Sequence, residues 1–202
     1  MEELMTYKSL YDEVILRVFG NYRDDIESLR LDSEYVVNIR KIVSLCEIKI
    51  IVKEQEIDNN CAMYHYNIPE FLSKPEADVV ERIIRVSEFD SEARQRFNIA
   101  SNLFLILNPN IDGEISEKLK GFKEVEIHNL VLLTANNFAA DLLMPKKLVI
   151  RALKKVMEDL NYNTQDNFSD KDIDLISDKA ARTMNVPLES FKYRLKVLEI
   201  FR

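Results

Sequence analysis

The sequence predicts an α+β fold, with a small antiparallel sheet in the N-terminal half and a helical remainder. Three observations carry this. Short β-branched or aromatic segments recur at 47–53, 61–66 and 82–86, each bounded by charged or turn residues. From Ser91 onward the apolar residues recur at helical spacing instead. Only 3 Gly and 5 Pro occur in 202 residues, which favours long regular elements joined by few tight turns. A hydrophobic content of 47% at this length is enough for one core without disulfide or metal staples.

Taken in order, Leu4, Leu10, Tyr11, Val14, Ile15, Val18 and Phe19 predict a helix over about 3–19 that stops at Gly20. A second helix is expected from about Ser33, as N-cap, to Leu45. The three strand segments follow. The first long helix starts near Ser91, places Phe97, Ala100, Phe104 and Leu107 on one face, and ends before Pro109. A second runs from about Val125 to Leu143. Pro145 suits the first turn of a third, which reaches about Met157. Residues 161–170 are polar and read as a loop. Two last helices, about 171–184 and 187–199, meet at Asn185-Val186-Pro187.

Net charge is -7, so the chain as a whole is not built to neutralise phosphates. The charge is uneven. Residues 146–202 carry 12 Lys and Arg against 9 Asp and Glu, and residues 1–145 carry 16 against 26. Lys146-Lys147 and Lys154-Lys155 read as a solvated helix face. Two cysteines, Cys46 and Cys61, give no disulfide framework and no C-x-x-C metal spacing. No leader peptide or membrane span is legible, so a soluble cytoplasmic protein is expected. A phosphate-binding glycine loop and a nucleophile elbow are also missing, so nucleotide-dependent chemistry and serine hydrolysis have no support in the sequence.

Two stretches stand out: Arg96-Phe97-Asn98-Ile99-Ala100-Ser101-Asn102-Leu103-Phe104-Leu105, and Thr134-Ala135-Asn136-Asn137-Phe138-Ala139-Ala140-Asp141-Leu142-Leu143-Met144-Pro145. They resemble the two active-site helices of the ImmA/IrrE family of bacterial zinc endopeptidases. The resemblance extends loosely over about 33–200, including Val36 to Val52 and the Ala181 to Leu198 ending. It implies a zincin-like helix pair in which histidines stand at 101 and 105, a glutamate at 102, a glycine at 104 and a carboxylate at 134. Histidines at i and i+4 share a helix face and reach one zinc, and the adjacent glutamate serves as general base.

This sequence departs from that pattern at every chemical position. Ser101 offers a neutral hydroxyl, Asn102 a non-basic amide, Leu105 no lone pair and Thr134 no charge. Phe104 replaces the glycine, so Phe104 and Leu105 are expected to fill the space beside the former metal. No catalytic residue, cofactor or metal is therefore assigned, and Ser101, Asn102, Leu105 and Thr134 are read as vestigial. An alternative metal site would draw on the two histidines, His65 and His128, with Cys61 and a carboxylate.

The family resemblance implies work beside helix-turn-helix repressors in mobile elements or stress circuits. The expected function is a pseudopeptidase that binds a protein partner, either a repressor or an active relative, in bacterial or phage gene regulation. One alternative is DNA binding by the last two helices through Lys192, Arg194 and Lys196. Another is a zinc endopeptidase with rewired ligands. Three parts are expected: an N-terminal helix and linker (1–32), a degenerate peptidase-like domain (33–162) and a helix-turn-helix-like pair (163–202).

Overall fold

The computed structural model describes residues 6–11, 13–53, 76–118, 121–163 and 167–201. Its elements are α1 (Tyr7–Leu10), α2 (Glu13–Arg17), α3 (Arg23–Ser28), α4 (Ile39–Leu45), β1 (Lys49–Lys53), β2 (Glu76–Asp78), β3 (Ile83–Ser87), α5 (Glu92–Leu107), α6 (Ile111–Lys118), α7 (Glu124–Leu143), α8 (Lys146–Asp159), α9 (Asp170–Met184) and α10 (Leu188–Val197). One apolar core joins them, from Tyr7 and Phe19 through Ile84 and Ile99 to Phe191 and Leu195. The α+β class stands.

The sheet is mixed, in the order β1-β3-β2. Antiparallel pairing occurs between β3 and β2, a strand that the sequence did not suggest, with Ala77 opposite Ile84. The expected antiparallel pairing fails between β1 and β3, which run parallel with Ile50 opposite Ile84. Strands joined by a tight turn pair antiparallel, whereas β1 and β3 are separated in sequence by β2 and a long connection, which permits a parallel return. The turn from β2 to β3 holds Asp78 Oδ1 against the Glu81 amide at 2.9 Å and puts Arg82 at φ 54°. The strand candidate at 61–66 lies outside the described residues.

The single N-terminal helix is replaced by two short ones. Tyr11 leaves the helix with φ -103° and ψ 150°. Its ring stacks on Tyr7 at 5.7 Å, and its hydroxyl donates to the Leu142 carbonyl of α7. That distant anchor outweighs local helical periodicity. Helix α4 begins at Ile39 rather than near Ser33, because Asn38 caps it by accepting from the Lys41 amide at 2.9 Å.

Helix α5 starts where expected, with Ser91 Oγ accepting from the Arg94 amide at 3.3 Å. Gln95 Nε2 donates to the Ser87 carbonyl at 2.9 Å, tying α5 to the end of β3. Cys46 is wholly buried, and burial pushes its thiol up to about 12, so it is no nucleophile at neutral pH. No helix among the described residues is long and apolar enough to cross a membrane.

Helix α9 opens on a capping box. The Asp172 amide donates to Ser169 Oγ at 3.4 Å, and the Ser169 amide donates to Asp172 Oδ2 at 3.0 Å. Ser169→Ala is expected to lower stability by about 1 kcal/mol, read as a shifted urea midpoint at unchanged slope. Helix α9 ends with Asn185 in the left-handed conformation at φ 51°, and the Val186 amide returns to the Ala181 carbonyl at 3.0 Å. Asparagine tolerates that conformation better than most residues. The turn at 185–187 is thereby fixed by its own chemistry.

Candidate functional site: the α5–α7 helix pair

The two motif stretches lie on α5 and α7, which pack against each other. Alanines 100, 135 and 139 are buried in the core and leave room for close approach. Ser101, 5% exposed, donates its hydroxyl to Asn136 Oδ1 at 3.2 Å. Phe104, 7% exposed, lies with its ring 5.3 Å from that of Phe138 at 42°. Phe138 in turn meets Phe19 at 6.1 Å, so three aromatic rings form a chain through this region.

Asn102 is fully buried, and neither end of its amide has a hydrogen-bond partner. Such an orphaned group costs about 1–3 kcal/mol. An ionised glutamate at the same place would be far costlier without a metal or counter-charge beside it. Thr134 turns its hydroxyl back along α7, donating to the Leu130 carbonyl at 2.7 Å. Leu105 is half-buried.

Helix geometry decides which α7 residues face Ser101. At roughly 100° per residue, Thr134 lies about 200° around the helix from Asn136, whereas Leu132 lies within about 40° of it. The structure brings Ser101 to Asn136 and leaves Thr134 on another flank of α7. A carboxylate meant to reach the 101 and 105 face would therefore stand at Leu132 more readily than at Thr134.

These side chains do not fit a zinc ion. A hydroxyl already donated to an amide, an uncharged amide, a hydrocarbon and a hydroxyl bonded to its own helix supply neither anionic ligand nor imidazole. Among the described residues no group of three or more His, Cys, Asp or Glu is placed to hold a metal. His128 stands exposed on α7, beside an open groove between α6 and α7. His65 and Cys61 lie outside the described residues.

The cations singled out on α10 are differently placed. Arg194 Nη1 meets Asp141 Oδ1 at 2.5 Å, and its Nε donates to the Met144 carbonyl at 3.0 Å, with the side chain 11% exposed. Lys192 pairs with Asp174 at 2.8 Å. Lys196 is exposed. Arg194 thus fastens α10 to the Leu-Leu-Met-Pro end of α7.

Arg96 is more than a marker of its motif, a role that the sequence alone does not disclose. Arg96 is 6% exposed, donating from Nη2 to the Val37 carbonyl at 2.6 Å and from Nε to the Asn185 carbonyl at 3.1 Å. It joins the entry of α4 to the α9–α10 turn. Burial draws its pKa below the usual guanidinium range, against the opposing pull of Glu92. An arginine opening an otherwise apolar helix face was the one available signal.

The comparisons agree with this frame. A family model for the IrrE N-terminal-like domain (Peptidase_M78) matches residues 59–196. No curated protein matches the chain. Among solved structures, the chain is similar to a Mycobacterium tuberculosis transcriptional regulator at 18% identity and a TM-score of 0.56, covering 96% of this chain and 50% of that one. It spans half the length of that regulator, and a likeness this distant speaks to the fold alone. With the family match running through both motif helices and on into α10, the chain belongs to the IrrE N-terminal-like (ImmA/IrrE) family of metallopeptidases.

Proposed function

We propose that this chain is a catalytically inactive member of its metallopeptidase family that holds a protein partner in bacterial or phage gene regulation. The partner is a helix-turn-helix repressor or an active relative, and the protein works in the cytoplasm. One observation carries the reading: where the family runs its chemistry, Ser101 is hydrogen-bonded to Asn136 and Phe104 is packed on Phe138. A hydrolase needs a polarised water and a base at that place, and the groups present supply neither.

Direct DNA contact through α10 draws less support, because Arg194 is largely buried and held by Asp141 and the Met144 carbonyl within the fold. Binding to phosphates would have to break that pair or rely on Lys196 and on Lys192, whose pair with Asp174 is exposed. If α10 did bind duplex DNA, affinity would fall steeply with salt.

The test is direct. Protein purified without chelator is expected to contain no stoichiometric zinc, and to form a complex with a helix-turn-helix repressor or an active relative encoded near its gene while leaving that partner uncut. One zinc per chain together with chelator-sensitive cleavage would overturn the reading. So would a failure to bind any neighbouring regulator.

A further inference from the structure

Helix α8 is a basic element on an acidic chain. It carries Lys146, Lys147, Arg151, Lys154 and Lys155 against Glu158 and Asp159, while the whole protein has net charge -7. Its apolar face, Leu148, Val149, Ala152, Leu153, Val156 and Met157, is buried in the core. The basic face is left outward.

Two grooves run along that outer face and share Lys147 and Ile150. The larger, of about 640 Å³, is lined on its far side by Leu10, Tyr11, Ile15 and Pro145. The smaller, of about 390 Å³, is bordered by Tyr35, Arg151, Lys154 and Lys155. Ile150 stands between them, 36% exposed. This is a charged rim around an apolar floor rather than a uniform solvated face.

The local pairs on the rim are weak ones. Lys147 Nζ donates to the Ser9 carbonyl at 2.9 Å, Arg151 meets Glu34 at 3.7 Å and lies over the Tyr35 ring at 5.6 Å, and Lys155 meets Asp159 at 2.5 Å. Exposed pairs of this kind contribute little and exchange readily for a better partner. Glu158 and the Asp141 already held by Arg194 are the carboxylates among the lining residues. Lys146, Lys147, Arg151, Lys154, Lys155 and Arg194 still outnumber Asp141, Glu158, Glu34 and Asp159 by two, so an incoming acidic segment meets a modest excess of positive charge.

We propose that this α8 face docks an acidic amphipathic helix of the protein partner, its carboxylates on the lysines and its apolar side chains beside Ile150, Leu10 and Ile15. The inference rests on the partner-binding reading and adds where the partner sits and what chemistry it presents. Charge complementarity selects an acidic occupant. The apolar floor selects a protein over a nucleic acid, since a phosphate backbone buries nothing there.

The experiment uses the intact chain, isotope-labelled, titrated with a synthetic helical peptide of leucine at i, i+3, i+4 and i+7 and glutamate elsewhere. Amide shifts are expected to cluster on α8, around Leu10 and Ile15, and at Tyr35. Lys147→Glu with Lys154→Glu should weaken binding by roughly tenfold or more. Ile150→Ser should weaken it by roughly fivefold, as loss of one half-buried apolar side chain implies. Equal binding of a peptide whose leucines are all serine would overturn the proposal, as would tighter binding of a DNA duplex to the same residues, or no binding at all. Zinc uptake with cleavage would sink the inactive reading and leave this surface standing. A metal-free, non-cleaving protein that ignores the peptide would sink this surface alone.

Discussion

Arg96→Ala is expected to destabilise the protein by about 3–6 kcal/mol, since two hydrogen bonds to a charged donor are lost at about 1.5–3 kcal/mol each. The side chain is buried and reaches two carbonyls far apart in sequence, Val37 and Asn185. Truncation leaves both acceptors in the interior and opens a cavity at the start of α5. For a chain of this length the melting temperature should fall by roughly 6–24 °C, if 1 kcal/mol corresponds to about 2–4 °C. Arg96→Lys keeps the charge but has no planar fork, so it should recover only part of the loss. Loss of amide protection near Asn38 and Val186 would follow, because the α4 entry and the α9–α10 turn are what the guanidinium joins. A change below about 1 kcal/mol in urea unfolding would show that Arg96 is not a clamp.

Such a residue also marks the limit of what the sequence discloses. Helices α5, α7, α8, α9 and α10 are legible because their apolar residues repeat at 3.6 over two or more turns and their ends carry local start and stop residues such as Ser91, Pro145 and Asn185. Features set by distant partners are not legible. The break at Tyr11 depends on a carbonyl at Leu142, and the parallel pairing of β1 with β3 depends on how the chain returns. The late start of α4 depends on Ser33 taking the nearby Tyr35 amide in a local turn while Asn38 takes the Lys41 amide and caps the helix. The site behaves the same way. The identities of Ser101, Asn102, Phe104 and Leu105 already speak against zinc, but the contact of Ser101 with Asn136, and the rotation of Thr134 away from it, require the packed helix pair.

Rebuilding the metal site tests that geometry. Ser101→His, Asn102→Glu, Phe104→Gly and Leu105→His, combined with Leu132→Glu, are expected to raise bound zinc from none to one per chain. The same four changes with Thr134→Glu should take up zinc less tightly, because position 134 lies about 200° around α7 from the residue that faces Ser101. The reversal is costly at first. Removing the Phe104 ring forfeits its packing on Phe138, on the order of 3–5 kcal/mol, and a glycine inside α5 adds about 1 kcal/mol. The metal offsets this once bound, since a ligand at a thousandfold excess over its dissociation constant stabilises by about 4 kcal/mol. The melting temperature of the rebuilt protein should therefore rise with added zinc, while that of the parent chain should not. Tighter zinc in the Thr134→Glu set than in the Leu132→Glu set would show that the helix pair presents a different face to the ion. Two folded sets that both ignore zinc would show that the α5–α7 frame no longer encloses a metal-sized space.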